Sequence, residues 1–459
     1  MYYLKISNID IILFEYFAPY YNSKIPESAY FMNTEKPKLL SFGKKIDGSI
    51  RIPGSKSLSN RALIIAALAK GESVLEGFLH SDDTSHMIAA LRKLGVAIHV
   101  ENQQVTVAGC HGEFSPCEES LYIENAGTAA RFLTAALTLG KGTYIVDGNA
   151  RMQQRPIGDL MNAINTLGGT VKDLKDSLCP PIQITATELK GGTVELDGTK
   201  SSQYLSALMM VLPLVKNPSK IKIKGALVSK TYVEMTKDMM ADFGVQCSWP
   251  HESEIFISGK QEYLARSYQI EGDASSASYF FAGAAVTQGS IRVYGLQEDS
   301  TQGDLKLLQL LEKMGCKATW HSDYVLLEGF ALHGIDVDMN TMSDVAPTLA
   351  IVALFAKGKT TIRNVANMRI KECDRIAAMC TEMRKLGAEV EEWEDGFSIE
   401  GLQDYKGVQI QTYQDHRIAM SFAVAALKIP DLAISNPLCV SKTYPNFFQD
   451  FESLLVETP

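Results

Sequence analysis

Six polar clusters, each directly before a long apolar stretch, hold the residues best suited to chemistry in this sequence of 459 residues. They combine hydroxyl side chains with cations, which helix capping alone does not require. At the start of a helix, oriented N–H groups and the helix dipole favour negative charge, so these clusters predict anion sites. In chain order they read Gly54-Ser55-Lys56-Ser57-Leu58-Ser59-Asn60-Arg61, Asn125-Ala126-Gly127-Thr128-Ala129-Ala130-Arg131, Lys200-Ser201-Ser202-Gln203, Asp273-Ala274-Ser275-Ser276, Ser343-Asp344 and Gln414-Asp415-His416-Arg417.

Two further basic clusters precede amphipathic segments, and Ser441-Lys442-Thr443 follows a strand near the C-terminus. In the second of them, Lys371 and Arg375 share one face if the segment is helical, with Glu372 close by. Taken alone, each helix-start cluster is explained better by capping than by anion binding. The basic cluster at 367–375, taken alone, is explained as well by a solvated charged face as by a functional site. The two clusters read Arg151-Met152-Gln153-Gln154-Arg155-Pro156 and Asn367-Met368-Arg369-Ile370-Lys371-Glu372-Cys373-Asp374-Arg375.

Two interleaved series of repeats predict the elements that position these clusters. In the first series, five amphipathic helices end at a glycine and recur every 71–76 residues, and each is followed by a strand. In the second, six nearly all-apolar helices are each followed by a short turn and a strand, a pattern typical of helices buried on every side. The glycines are Gly95, Gly168, Gly244, Gly315 and Gly387, and the second series spans 60–77, 129–148, 202–225, 276–295, 345–364 and 416–436.

The repeating unit is therefore a buried helix, a strand, an amphipathic helix and two strands. A unit of about 70 residues cannot bury such helices by itself, so several units must share a core. We therefore predict an α/β fold made of α+β repeats, with two domains that each hold three copies of a small βαβαββ-type unit.

Composition narrows the classes of function. With 46% apolar and 21% charged residues, the chain has the composition of an ordinary globular protein, and it contains no apolar run of the ~18–20 residues that a membrane helix needs. A net charge of −9 argues against a broad nucleic-acid surface. The eight cysteines form no C-x-x-C pair and the histidines no H-E-x-x-H pattern, so we expect no metal.

Nucleotide cofactors are also disfavoured. There is no G-x-G-x-x-G, and Gly358-Lys359-Thr360 lacks the first glycine of a phosphate loop. Residues 1–36 fit neither a signal peptide nor a transit peptide, because acidic residues bracket a short apolar stretch. We interpret them as an extension of doubtful function, with Met32 as an alternative start, and expect a cytoplasmic protein.

The motifs, taken together, resemble those of 3-phosphoshikimate 1-carboxyvinyltransferases, also called 5-enolpyruvylshikimate-3-phosphate (EPSP) synthases. The resemblance runs from about residue 40 to the C-terminus, with the motifs in order. The matching segments are PGSKSLSNRA (53–62), NAGTAAR (125–131), RMQQRPIGDL (151–160), SSQY (201–204), SKTY (229–232), DASSASYF (273–280), NMRIKECDR (367–375), QDHR (414–417) and SKTYPNFF (441–448).

The resemblance implies a two-domain enolpyruvyl-transferase fold with the helix starts directed at the cleft between the domains. It places residues 37–54 and 272–459 in one domain and 55–271 in the other. The family transfers the enolpyruvyl group of phosphoenolpyruvate to the 5-hydroxyl of shikimate 3-phosphate and releases phosphate, without metal or organic cofactor. These two small molecules are the partners expected, with no nucleic acid and no membrane, and the chain is expected to be a monomer.

Motif by motif, the resemblance also implies roles for individual residues. It makes Asp344 the base for the 5-hydroxyl and Glu372 the acid for the methylene carbon, with Lys56 as a third catalytic residue placed between the substrates, as is Gln203. Shikimate 3-phosphate would be bound by Lys56, Ser57, Arg61, Ser201, Ser202, Gln203, Ser229, Tyr232, Asp344, Asn367 and Lys371. Phosphoenolpyruvate would be bound by Lys56, Gly127, Arg155, Gln203, Arg375, Arg417 and Lys442.

Two positions depart from the family pattern. Phe132 stands where many relatives have proline, and Ala130 where they often have methionine. Both follow Gly127 and Thr128 in the same helix, so they could shift the wall of the phosphoenolpyruvate pocket without removing a ligand.

Two other functions remain open on the sequence alone. The related enolpyruvyl transferases that act on UDP-N-acetylglucosamine typically carry a reactive cysteine in a mobile loop, and Cys110 and Cys117 superficially suggest one. Both cysteines, however, precede NAGTAAR and lack the Gly-Cys-x-x-Gly-x-Arg context. A non-catalytic homologue that senses anions is the other alternative, which the retention of every motif acid and base disfavours.

Overall fold

The computed structural model describes residues 36–401 and 404–457. Apart from Lys36, the N-terminal extension predicted for 1–36 lies outside the described residues. The helices are α1 Lys56–Leu68, α2 Asp82–Lys93, α3 Gly127–Ala136, α4 Gly158–Thr166, α5 Ser202–Val211, α6 Lys230–Asp242, α7 Ala274–Thr287, α8 Leu307–Met314, α9 Ala346–Leu354, α10 Arg375–Lys385, α11 His416–Ala426 and α12 Phe447–Ser453. Short 3-10 turns occupy Leu137–Leu139, Met152–Gln154, Leu212–Leu214, Gly303–Lys306, Asn340–Val345, Ala366–Ile370 and Pro437–Lys442.

The strands are short, with two to eight residues each. They are β1 Lys38–Leu39, β2 Lys44–Arg51, β3 Lys70–Glu76, β4 Ala97–Glu101, β5 Gln104–Cys110, β6 Leu121–Tyr122, β7 Thr143–Asp147, β8 Thr170–Asp173, β9 Ile182–Thr185, β10 Gly192–Asp197, β11 Ser219–Lys224, β12 Cys247–His251, β13 Glu254–Ile257, β14 Ser267–Gln269, β15 Ser290–Tyr294, β16 Lys317–Trp320, β17 Tyr324–Glu328, β18 Asp336–Asp338, β19 Lys359–Arg363, β20 Glu389–Trp393, β21 Gly396–Glu400, β22 Gln409–Ile410, β23 Ala433–Ile434 and β24 Leu455–Glu457.

One sheet topology occurs five times along the chain. In the sheet β6-β7-β9-β8, the first two strands are parallel, and β9 then pairs antiparallel with both β7 and β8. The sheets with β3, β11 and β19 at the second position repeat this arrangement, and β2-β15-β17-β16 repeats it with β24 added beside β2. A buried helix follows the first strand in the regular units and an amphipathic helix follows the second. This is the βαβαββ unit that the sequence repeats predict.

The sixth unit is irregular. Its buried helix α11 is present, but β22 and β23 pair in a three-stranded sheet whose third strand, β1, comes from the start of the described chain. The short helix α12 stands where the other units have a longer amphipathic helix. This explains why the glycine series in the sequence has five members and not six.

Two strands are exchanged between sheets. β2 precedes all the helices but lies beside β15, whereas β14 lies beside β3, nearly 200 residues earlier. The two connections touch at an antiparallel bridge between Gly54 and Gly272. A Cβ at Gly54 would stand 2.0 Å from the carbonyl oxygen of Gly77, so the close approach of the chain to the end of β3 requires glycine at position 54.

The helices divide as their patterns predict. Every residue of α3 is buried, and α7, α9 and α11 are buried over nearly their whole length. The five glycines that end amphipathic helices have φ between 86° and 120°, the conformation that C′ glycine adopts. The buried apolar residues form one core between Leu58 and Ile270, and a second that joins Leu40–Ile52 to Ala274–Leu454. Within the described part of the chain, no helix has the length and apolar character that a membrane crossing requires.

Candidate active site

One cavity collects residues from both core segments and from both kinds of helix start. About 640 Å³ of it is free of atoms, including part of its open mouth. Six cations and three carboxylates line it, so the walls carry an excess of positive charge in a protein whose net charge is negative. The lining residues are Lys56, Ser57, Arg61, Asp83, Gly127, Thr128, Arg155, Ser201, Ser202, Gln203, Ser229, Tyr232, Asp344, Asn367, Lys371, Glu372, Arg375 and Arg417.

Some residues of the polar clusters cap their helices. Ser55, Ser201, Asp273 and Asp415 each accept a hydrogen bond from a backbone N–H in the first turn of the helix that follows. Asp344 does not cap α9, because the residue at that helix's N-cap is Val345 and no side chain caps it. Its carboxylate is therefore available to the cavity, and the simple capping explanation for Asp344 is wrong.

Asp344 is surrounded by three cations. Arg417 Nη2 lies 2.8 Å from Oδ2, and Arg375 Nη1 and Lys371 Nζ lie 3.2 and 3.4 Å from Oδ1. Lys371 has an extended backbone and α10 begins only at Arg375. Lys371 and Arg375 therefore do not share a helical face, as they would have done if the segment were helical. They approach the same carboxylate from separate segments instead.

The guanidinium of Arg375 connects Asp344 to two more buried carboxylates. Its Nη2 lies 2.7 Å from Glu372, and its Nε lies 2.7 Å from Asp415. Asp415 is fully buried and the side chain of Arg375 is only 1% exposed. Glu372 also lies 3.8 Å from Arg155 Nη1. Arg375 is thus fixed in place by three acids before any ligand binds.

The surrounding charges determine the ionisation of both catalytic candidates. Burial by itself would raise the pKa of Asp344, but Arg417, Lys371 and Arg375 lower that pKa well below its usual value. Burial would likewise raise the pKa of Glu372, and Arg375 and Arg155 bring it well below its usual value. Both carboxyls are therefore ionised at neutral pH in the ligand-free protein.

Two lysines meet at Asp83. Lys442 Nζ donates to Asp83 Oδ1 and, at 2.8 Å, to the carbonyl oxygen of Asn125, while Lys56 Nζ lies 3.3 Å from Asp83 Oδ2. Arg155 Nη1 donates to both the backbone oxygen and the side-chain oxygen of Asn125. We call the linked set Lys56, Arg155, Arg375, Arg417 and Lys442, with the acids between them, the cation network.

Gly127 makes room for part of this network. A Cβ at Gly127 would lie 2.5 Å from Arg155 Nη2 and 2.9 Å from Arg155 Cζ. The guanidinium therefore packs directly on the first residue of α3. A glycine here is explained by the close approach of a charged side chain.

Six of the neutral polar residues that line the cavity form a second set, which we call the hydroxyl set: Ser57, Ser201, Ser202, Ser229, Tyr232 and Asn367. Asn367 Nδ2 donates to Ser229 Oγ at 3.4 Å. Ser229 has φ 52°, the left-handed region that non-glycine residues rarely adopt, directly before α6. A strained serine in the wall of a cavity is typical of a residue held for function.

Arg61 differs from the cations of the network because the hydrogen bonds of its guanidinium in the described structure go to neutral oxygens and not to carboxylates. It donates to Thr236 Oγ1 at 2.7 Å and to the backbone oxygens of Ser57 and Tyr232. Burial lowers the pKa of Arg61 to about 10, so it stays charged at neutral pH. Phe132 lies under it, with its ring centroid 5.2 Å from Arg61 Cζ. The departure at 132 therefore touches Arg61 as well as packing within α3.

The cavity and the cation network together contain all seventeen residues to which the motifs give a role, and the cavity has further lining residues. Lys442 reaches the cavity through Asp83 and does not itself line it. The sequence reasoning missed Asp83 and Thr128 as lining residues, and Asp304 behind Tyr232. Asp83 had a signal that could have revealed it, because Ser81-Asp82-Asp83-Thr84 is also a polar helix start.

The cysteines that suggested a different transferase lie elsewhere. Cys110 ends β5 and its thiol pKa is raised by burial, which makes a thiolate less available. Neither Cys110 nor Cys117 is among the described residues that line the cavity. Within residues 36–401 and 404–457, no group of three or more histidine, cysteine, aspartate or glutamate side chains is placed to hold a metal ion.

The fold is that of the enolpyruvyl transferases. A solved enolpyruvyl transferase from Streptomyces tendae matches with a TM-score of 0.74 and 16% sequence identity, covering 92% of this chain and 98% of that one. A solved EPSP synthase from Acinetobacter baumannii matches with a TM-score of 0.77 and 26% identity, covering 91% of this chain and 97% of that one. The predicted two-domain fold is confirmed.

The more similar sequences define the family. The sequence model of the protein family EPSP synthase (3-phosphoshikimate 1-carboxyvinyltransferase) matches residues 40–451 of this chain. The 3-phosphoshikimate 1-carboxyvinyltransferase of Shewanella oneidensis is 47% identical over 416 residues, covering 90% of this chain and 98% of the relative. That of a Sulfurovum species is 46% identical over 413 residues, covering 89% and 97%. The chain belongs to the EPSP synthase family, which confirms the resemblance read from its motifs.

Proposed function

We propose that this enzyme transfers the enolpyruvyl group of phosphoenolpyruvate to the 5-hydroxyl of shikimate 3-phosphate, a step in the synthesis of aromatic amino acids through chorismate. The observation that carries the proposal is the cation network around Asp344 and Glu372 in a cavity with six cations. Two substrates that together bring two phosphates and two carboxylates need such a concentration of fixed positive charge.

We propose that the two substrates divide the cavity between its two sets of residues. The hydroxyl set, with Arg61 and Lys371, would bind the ring and phosphate of shikimate 3-phosphate. The cation network and the backbone at Gly127 would bind phosphoenolpyruvate. Lys56 and Gln203 would contact both, since each lines the cavity and Gln203 Nε2 already reaches Thr128 at 3.5 Å.

Asp344 is suited to act as the base. It is ionised, it faces the cavity, and its carboxylate is not consumed by a helix cap. In the proposed step, Asp344 takes the proton of the 5-hydroxyl while the hydroxyl oxygen bonds to C2 of phosphoenolpyruvate and C3 receives a proton. Loss of phosphate from C2 and of a proton from C3 then restores the double bond.

Glu372 would supply the proton for C3, but it is ionised in the ligand-free protein. Phosphoenolpyruvate would bring negative charge to Arg375 and Arg155, the two cations that lower the pKa of Glu372. Sharing these cations with the substrate raises the pKa of Glu372 and favours its protonated form. Binding of phosphoenolpyruvate would therefore favour the protonated form of Glu372 that the protonation of C3 requires.

The proposal extends to the domain boundaries, the localisation and the oligomeric state. We propose that residues 37–54 and 272–459 form one domain and residues 55–271 the other, with the cavity between them. The separation of the buried apolar residues into two cores supports this division. The enzyme would act as a cytoplasmic monomer on small molecules, with no metal and no organic cofactor.

A phosphate-release assay tests the proposal directly. Phosphoenolpyruvate is supplied with shikimate 3-phosphate or with UDP-N-acetylglucosamine in separate reactions, and the product mass is measured. We expect phosphate release and an added enolpyruvyl group with shikimate 3-phosphate alone. Release with the sugar nucleotide alone would assign the other transferase activity. Binding of both anions without release would favour a non-catalytic homologue.

A further inference from the structure

Asp304 is a buried acid that lies behind the cavity, and the proposed reaction does not use it. It lies in the 3-10 turn Gly303–Lys306, and 4% of the residue is exposed. Its Oδ2 accepts hydrogen bonds from Ser275 Oγ and, at 3.3 Å, from the hydroxyl of Tyr232. Its Oδ1 is buried without a hydrogen-bond partner among the described residues. A buried acid with one oxygen unsatisfied is costly, so its presence needs an explanation.

The hydroxyl of Tyr232 lies between two acids. Its oxygen is 3.3 Å from Asp304 Oδ2 and 3.4 Å from Asp344 Oδ2. A tyrosine hydroxyl has one hydrogen and can donate it to only one of them. Burial and, after it, the charges of Asp304 and Asp344 raise the pKa of Tyr232 well above its usual value. The hydroxyl hydrogen therefore stays on the phenolic oxygen.

A second path joins the same two acids. Arg417 Nη2 lies 2.8 Å from Asp344 Oδ2 and donates to Ser275 Oγ at 3.3 Å, while Ser275 Oγ donates to Asp304. Asp304 thus contacts Tyr232 directly and Arg417 through Ser275, and both Tyr232 and Arg417 contact Asp344 Oδ2. It does not itself line the main cavity.

We propose that Asp304 is a positioning residue for the base Asp344 and acts through the hydroxyl of Tyr232. When Asp304 is ionised it accepts the hydrogen bond of the Tyr232 hydroxyl, so the tyrosine oxygen turns a lone pair toward Asp344 and strengthens Asp344 as a base. When Asp304 is protonated, Tyr232 donates to Asp344 and weakens it. The inference rests on the proposed function, because it assigns Asp344 the role of base.

The charges that face Asp304 place this switch in an accessible pH range. Burial raises the pKa of Asp304 to about 6, Asp344 and Asp273 add to that rise, and Arg417 and the hydrogen bond from Ser275 oppose it. These groups come from the segments before α7 and α9 and from the first turns of α7 and α11, and Tyr232 comes from α6. Turnover through this path should therefore fall as the pH drops through about 6.

The test compares pH profiles of kcat for the full-length enzyme and Asp304→Asn. At about pH 8 we expect the variant to be about tenfold slower, the effect of one hydrogen bond to a charged group. At about pH 5, where Asp304 is already protonated, we expect the two enzymes to agree within about threefold. A loss that is the same at every pH would show a merely structural role and overturn the proposal.

Two more variants isolate the path. Tyr232→Phe should abolish the step near pH 6, and adding Asp304→Asn to it should change kcat by less than about threefold, because the two residues act as one unit. Additive losses would overturn the proposal. Glu382→Gln is the matched control: this glutamate is as deeply buried but bonds Lys385 and Tyr413 away from the cavity, so its profile should keep the parent shape.

A measurement without turnover separates this inference from the proposed function. Infrared difference spectra of the ligand-free enzyme should show a protonated carboxyl band that titrates near pH 6 and shifts its midpoint in Tyr232→Phe. A midpoint unchanged by Tyr232→Phe would overturn the coupling, whatever the enzyme's substrate proves to be. If Asp304→Asn does not fold, the Tyr232→Phe profile and this titration decide the matter. An enzyme inactive with shikimate 3-phosphate would instead contradict the proposed function.

Discussion

The cation network and the hydroxyl set meet in one cavity but are built differently. Each cation of the network is held by a buried acid or a carbonyl oxygen, as Arg375 is by Asp415 and Glu372. In the hydroxyl set, neutral groups stand on helix starts and a strained turn, as Ser201 and Ser229 do. Under the proposed division of the cavity, the charge for a small polyanion is fixed in advance by counter-charges, whereas recognition of a ring relies on backbone placement.

The largest effect should come from breaking the network at its centre. Arg375→Ala would leave three carboxylates close together and the buried Asp415 without its cation. We expect a loss of about 3–5 kcal/mol in unfolding free energy, measured by urea denaturation, and no detectable phosphate release. Arg363→Ala, which breaks a solvent-exposed pair with Asp336, is the control and should change little. Equal stability losses in the two variants would contradict the picture of a buried network.

A smaller and more selective effect should follow from crowding the network. In Gly127→Ala the new methyl group would stand 2.5 Å from Arg155 Nη2, and Arg155 cannot retreat without losing Asn125. We expect KM for phosphoenolpyruvate to rise about 5–150-fold, equivalent to about 1–3 kcal/mol. KM for shikimate 3-phosphate serves as the internal control and should change much less. A rise confined to shikimate 3-phosphate would reverse our division of the cavity.

Neighbouring serines of the hydroxyl set should separate binding from stability. Ser202→Ala removes one lining hydroxyl, and we expect KM for shikimate 3-phosphate to rise about fivefold, the effect of about 1 kcal/mol. Ser201→Ala should do the same and also lose about 1 kcal/mol of unfolding free energy, because Ser201 caps α5. Thermal melts and kinetics of both variants provide the comparison. A stability loss in Ser202→Ala that matches the one in Ser201→Ala would argue against this assignment of the cap.

The smallest effect concerns the departure at 132. Phe132→Leu removes the ring 5.2 Å from Arg61 and leaves the guanidinium with its polar partners. We expect KM for shikimate 3-phosphate to rise about two- to fivefold, from a cation–π contribution of about 0.5–1 kcal/mol. KM for phosphoenolpyruvate should be nearly unchanged. A larger change for phosphoenolpyruvate would mean that Phe132 acts by moving the start of α3.

Much of the fold follows from periodicity. Glycines such as Gly95 and Gly387 mark helix ends because that backbone conformation is local, and the all-apolar stretches mark buried helices for the same reason. The exchange of β2 and β14 between sheets does not follow from periodicity, because a pairing partner some 200 residues away leaves no local signal. Only the resemblance to a known family supplied it.

Apart from Thr128, the motif residues that contact the cavity were predictable from the sequence. Asp83 and Asp304 were missed because each acts on another side chain, Asp83 on two lysines and Asp304 on Tyr232. In the sequence, both are ordinary acids in the first turn of a helix or of a 3-10 segment. Asp344 shows the converse, since its sequence position suggested a cap and the structure directs it to three cations.

The central claim is that Asp344 is the base of an enolpyruvyl transfer and not an anion ligand or a cap. The most direct test measures Asp344→Asn twice, by calorimetric titration with shikimate 3-phosphate and by steady-state phosphate release. We expect binding to be kept within about tenfold and kcat to fall by about 10²–10⁴, because the amide keeps the shape but cannot take the proton. Near-normal kcat in a variant that still binds shikimate 3-phosphate would contradict the account.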